Sequence, residues 1–183
     1  MLIADAQRDV RDGFLDGAPG MLVSGALWLA TAAVAASGNV RGAWVLLFVG
    51  GMFIFPVGTL LVRAFGGRAR LRPDNPLHAL GMQAAFLVPF GWPLVVAAGM
   101  TNEGWYFAAA SWLVGIHYLP FITLYGMRFY GVLAAALMVA SWACVQYLPT
   151  DVAAAAWATG GIEVAAGVVT LALRRRRPAP QPA

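Results

Sequence analysis

A chain of 183 residues that is 61% hydrophobic and only 11% charged carries more apolar surface than a soluble domain of its size can bury, so a bilayer must be its solvent. Its basic charge comes from twelve arginines and no lysine, which excludes Schiff-base chemistry and a Walker-type phosphate loop. The single cysteine, Cys144, excludes an intrachain disulfide and a cysteine-built metal cage, and no other metal or cofactor set is visible.

Residues 1–16 predict an amphipathic helix lying at the membrane interface. Ile3, Ala6, Val10 and Phe14 recur at helical spacing, while Arg8 has Asp5 three residues before it and Asp12 four after. The acidic start lacks the basic region of a cleaved signal peptide. Six windows between charged residues follow, at 17–40, 42–62, 75–102, 104–127, 129–150 and 152–173, the last interrupted only by Glu163. Each reaches the roughly 20 residues that a helix needs to cross hydrocarbon at about 1.5 Å per residue. None alternates apolar and polar residues as barrel strands do. The expected fold is therefore an all-α bundle of six membrane helices over residues 17–173, followed by a basic, Pro-rich tail at 174–183 whose end reads as disordered.

Arginine placement predicts orientation. With the N-terminus in the cytoplasm, every arginine except Arg41 falls on the inner side, which sets both termini there. Nothing aromatic interleaves Arg174 to Arg177, so they read as an anchor for the last helix and not as a nucleic-acid site. A repeat shows in the same frame: Trp28 and Pro56 stand 28 residues apart, as do Trp92 and Pro120, and Trp142 with Gly167 offers a third copy. Three helical hairpins in parallel order would produce it; so would chance in an apolar alphabet.

The run Ala6-Gln7-Arg8-Asp9-Val10-Arg11, followed by Met21-Leu22-Val23-Ser24-Gly25-Ala26-Leu27-Trp28, resembles an uncharacterised family of small bacterial integral membrane proteins, a domain of unknown function. The resemblance implies a polytopic fold and bacterial origin and brings no catalytic residue with it.

Polar character concentrates between Gly115 and Gly131, where His117, Tyr118, Pro120 and Tyr125 stand in an uncharged run. Glu163 is the only carboxylate inside a span. Counted from the outer ends, His117 lies 13 residues beyond Gly104 and Glu163 lies 11 beyond Val152, a depth difference of about 3 Å. The two are expected to meet near the midplane as a proton or substrate site, with Tyr118, Tyr125 and Gln83 as hydrogen-bond partners; the competing reading is a structural bond between helices. Pro56, Pro89, Pro93 and Pro120 predict kinks, which line cavities in transporters but also serve plain packing. Arg63, Arg68, Arg70 and Arg72 offer a contact for anionic lipid headgroups if the loop is extended, or simply set topology. Trp105, Tyr106 and Tyr147 fit an outer aromatic belt, whereas Trp28, Trp92 and Trp142 sit deep enough to pack between helices.

Three function classes remain open. A small proton-coupled transporter or channel-like protein is favoured by the Glu163 and His117 pair. An accessory or scaffold subunit, or a homo-oligomer, would use the small residues Ala153 to Ala156 and Gly160-Gly161 for close helix approach. A lipid-modifying enzyme would need polar groups at headgroup level, where only the arginine loop with Asn75 and His78 qualifies, without a nucleophile.

Overall fold

The computed structural model describes residues 1–176; Arg177 and the rest of the Pro-rich tail lie outside the described residues. Among these the chain is all-helical: α1 (Ile3–Phe14), α2 (Ala18–Ala36), α3 (Val40–Ala64), α4 (His78–Thr101), α5 (Glu103–Tyr125), α6 (Phe129–Tyr147) and α7 (Ala154–Arg175). Six helices are long and apolar enough to cross a membrane, the first being α2 with α1 joined to its start. Local chemistry sets the ends. Asn39 Oδ1 accepts from the Gly42 amide at the start of α3, Asn102 Oδ1 does so from Gly104 at the start of α5, and Gly126 ends α5 in a left-handed conformation.

A sharp corner separates α1 from α2. Leu15, Asp16 and Gly17 all take positive φ, at 53°, 53° and 77°. A left-handed turn costs an L-residue about 1–2 kcal/mol, so Leu15 and Asp16 hold it only because the surroundings fix them. Tyr130 donates to the Asp16 carbonyl at 2.8 Å, and a Cβ on Gly17 would fall 2.1 Å from the same hydroxyl. Only glycine fits there.

The bundle is organised around α2 and α7. α2 packs on α3 and α7, α5 on α4 and α6, and α6 and α5 complete the contact with α7; α3 and α4 share no extended backbone approach. Burial ranks the helices accordingly: 39% of the apolar window of α5 and of α7 is buried, against 17% for α3 and for α4, the two most exposed. On α2 the residues Ala18, Met21, Gly25, Trp28, Ala32 and Ala35 are buried in alternating steps of three and four. Ala156, Gly160, Glu163, Gly167 and Thr170 do the same on α7. That spacing is the seam of a left-handed helix pair. Its small residues bring the backbones together: a Cβ on Gly25 would lie 2.8 Å from the Val164 nitrogen, and one on Gly160 would lie 2.9 Å from the Leu29 nitrogen.

At the opposite end from the arginine cluster, where Arg41 pairs with Glu103 at 3.8 Å, an aromatic cluster joins α3, α4 and α5. Trp44 stacks on Tyr106 at 4.3 Å, and the Tyr106 hydroxyl donates to the Trp44 carbonyl at 3.1 Å. Tyr106 therefore belongs to the core and not to the aromatic belt, while Trp105 and Tyr147 are exposed. Trp28 and Trp92 are buried as expected, but Trp142 is 59% exposed, because α6 turns that face away from α5 and α7. α3, α4 and α5 run on as unbroken helix past their prolines; Pro56, Pro89 and Pro93 are exposed and Pro120 is half-buried. None of the four is among the residues hydrogen-bonded to Glu163.

The seam gives a paired test. Gly160→Val should destabilise the protein by about 1–3 kcal/mol through overpacking against α2. Gly161→Val, where a side chain meets open space, should change stability far less. Thermal unfolding in detergent separates the two.

Candidate functional site

Glu163 is 0% exposed, on the α7 seam where α2 and α5 converge. Tyr118 of α5 donates to its Oε1 at 2.8 Å. Ser24 of α2 faces the same carboxyl, yet Oε2 has no partner within hydrogen-bond geometry among the described residues. No cationic side chain among the described residues pairs with this acid. A charge at such a depth costs about 2.5–3.5 kcal/mol on insertion scales unless a proton or a cation joins it.

From Tyr118 a row of rings leads to the arginine-bearing end. Tyr118 stacks on Tyr130 with centroids 5.8 Å apart, and Tyr130 meets Tyr125 at 4.9 Å, with Phe121 edge-on between them. The hydroxyls of Tyr130 and Tyr125 both come to the corner at Gly17. Asp16, also 0% exposed, lies at that corner with its Oδ2 3.4 Å from Arg174 Nη1. Buried acids thus stand at both ends of the tyrosine row.

The α1 helix closes this end of the bundle. Gln7 donates to the Thr123 carbonyl at 2.8 Å and Arg11 to the Tyr125 carbonyl, which gives the C-terminal carbonyls of α5 partners that a helix end otherwise lacks. Arg174 donates to the Arg11 carbonyl at 3.2 Å and pairs with Asp12 at 3.3 Å. Arg8 pairs with Asp5 as expected, but Asp12 turns to α7 instead. Asp9 is the hub. Its Oδ1 lies 2.6 Å from Arg68 Nη2, and its Oδ2 accepts from the Arg72 amide and from the Asn75 side chain, both at 2.9 Å.

The expected residues are therefore divided. Tyr118 does partner Glu163. His117 does not: its Nδ1 donates to the Ala84 carbonyl of α4 at 2.8 Å, because adjacent residues on a helix point about 100° apart. Tyr125 belongs to the corner, and Gln83 is exposed on α4. The arginine loop is not extended. Ala69 takes a φ of 52° and its amide donates to the Gly13 carbonyl, folding the loop onto α1. Arg68 is committed to Asp9, while Arg63 and Arg70 remain exposed. Asn75 is likewise held, donating to the Ala6 carbonyl and to Asp9.

Sequence reasoning missed Asp16, Tyr130, Ser24 and Asp9. Tyr130 sits in the polar stretch already singled out, five residues beyond Tyr125. Asp9 carries no such signal, because its partners lie about sixty residues away along the chain.

Six apolar helices enclosing a buried acid define a small polytopic α-helical membrane protein. More particularly, the chain belongs to a family of unknown function, DUF7010, matched over residues 3–173. No match was found among the curated proteins or among the solved structures.

Burial alone would raise the Asp9 carboxyl, but the Arg72 amide, the Asn75 side chain and the Arg68 guanidinium together hold it below the usual 3.8. A depressed carboxyl contributes stability above its unfolded value and loses it as the pH falls through the folded one. Amide protection across residues 68–75, relative to the exchange of an unfolded chain at the same pH, should therefore stay high from neutral pH down to about 4 and fall only in stronger acid. Asp9→Asn should bring fast exchange at neutral pH.

Proposed function

We propose that the protein is a small proton-coupled transporter or channel-like protein whose coupling group is the Glu163 carboxyl. One observation carries this reading: a fully buried acid at the central helix crossing, with one oxygen held by Tyr118 and the other, on the side of Ser24, outside hydrogen-bond geometry with every described residue. Purely structural acids in a membrane core have every reason to satisfy both oxygens or to be replaced by an apolar residue. An acid that must change its proton or its ligand has reason to keep one oxygen free. The Tyr118, Tyr130 and Tyr125 row supports the reading by setting hydroxyls between Glu163 and the Asp16 corner. His117 takes no part as a direct partner of the acid.

Two alternatives draw less support. The small residues of α7 that would suit an accessory or scaffold subunit already serve the contact with α2 inside the chain. The polar cluster that a lipid-modifying enzyme would need has lost Asn75 to the Asp9 hub. The same proposal sets the arginine-bearing end in the cytoplasm of a bacterial inner membrane, as the positive-inside rule requires.

The test is proton flux into liposomes under an imposed pH gradient, followed with an entrapped pH-sensitive dye. Wild-type protein should pass protons, Glu163→Gln should reduce the flux to that of empty vesicles, and His117→Ala should leave most of it. Tyr118→Phe should fall between, since it strips Oε1 of its donor at a cost of about 1–3 kcal/mol. A Glu163→Gln protein that matches wild type would overturn the proposal. Orientation has its own check in a Cys144→Ala background, where a thiol placed at Ser37 should react with an impermeant reagent added outside cells and one placed at Arg70 should not.

A further inference from the structure

At the arginine-bearing end, the corner before α2 and the last turns of α3 and α7 enclose an open cleft of about 300 Å³. It is lined by Leu15, Phe65, Leu171, Arg174 and Arg175. We propose that this cleft binds the headgroup of an acidic phospholipid, with its phosphate at Arg175 and its glycerol and first methylenes against Leu15, Phe65 and Leu171. The proposal is independent of any transport activity.

Charge and shape both point to this occupant. Arg174 is held in place by three contacts, to Asp16 at 3.4 Å, to Asp12 at 3.3 Å and to the Arg11 carbonyl at 3.2 Å. Two carboxylates therefore neutralise it and fix its fork at the back of the cleft. Arg175 follows it in the chain, is exposed, and has no ion pair among the described residues, so it brings the uncompensated positive charge. Arg63 in the last turn of α3 adds positive charge to the same end. The other walls are apolar, which suits poorly a hydrated free anion and well a phosphate that arrives attached to hydrocarbon. Along the outer faces of the two helices leading into the bilayer, Leu60 of α3 and Val168 of α7 are exposed and give acyl chains a surface to lie on. This differs from the expected contact at Arg68 and Arg72, where Arg68 is taken up by Asp9 and Arg72 lies 4.0 Å from the same carboxylate.

The experiment is native mass spectrometry on delipidated protein in neutral detergent, titrated with phosphatidylglycerol or with phosphatidylcholine. Wild type should retain phosphatidylglycerol in preference to phosphatidylcholine. Arg175→Gln should weaken that retention about fivefold, the equivalent of ~1 kcal/mol for one arginine near an anionic surface. Arg70→Gln, an exposed arginine outside the cleft, should leave it unchanged, and thermal unfolding should show both variants as stable as wild type. Equal retention of the two lipids would overturn the proposal. So would equal losses in both variants, which would mark general surface charge, or displacement of the lipid by millimolar inorganic phosphate, which would mark a site for free anions.

Discussion

The close crossing of α2 and α7 is the constraint on which the rest of the molecule depends. Gly25 and Gly160 let the two backbones approach within the reach of a single Cβ, and Glu163 lies one turn beyond Gly160 on the same seam. Lipid tails are as apolar as the helices they surround, so helix association here rests on such fit and on buried hydrogen bonds instead of on exclusion of water. A carboxyl set into this seam is sealed from lipid by construction. Its single bond to Tyr118 then ties α5 to the α7 side of the α2–α7 pair.

Much of this was legible in the sequence, for physical reasons that can be named. Uncharged windows locate the spans because every charge in hydrocarbon is costly, and the helices follow them closely; α3 simply continues past Arg63, whose long stem reaches the interface. Glu163 stood out as the lone acid in a span. Of its expected partners Tyr118 meets it and His117 does not, because residue counting gives depth and not direction. The buried positions of α5 at Ser111, Gly115, Tyr118 and Tyr125 follow steps of four, three and seven, a face that contains Tyr118 and leaves His117 beside it. That pattern is in the sequence, though only knowledge of which face is buried turns it into a contact. The three-hairpin repeat has no counterpart in one respect: α2 meets α7 and α5 meets α6 closely, whereas α3 and α4 stay apart.

The end that bears the arginines shows the limit of topology rules. Positive charge predicts on which side of a membrane a loop stays, but it does not say what each arginine touches. Here Arg68 and Arg174 serve as ties between distant parts of the chain, each engaging a carboxylate on α1 or at its corner. Pairs of this kind, partly sheltered and joined to backbone carbonyls and amides, differ from isolated surface ion pairs of little worth. They turn a segment that composition marks as merely interfacial into a cover fastened to helices α5 and α7 and to the loop before α4.

The fastening of α1 has a bearing on how the protein assembles as it is made. Its partners are residues 68–75, the carbonyls of Thr123 and Tyr125, and Arg174, all of which leave the ribosome after it does. The first helix to be synthesised thus completes its set of contacts only when the last span has been made. The left-handed corner at Leu15 to Gly17 faces the same delay, since the Tyr130 hydroxyl that donates to the Asp16 carbonyl comes from the fifth span. A chain ending before Arg174 would leave the N-terminal helix without its tie to α7.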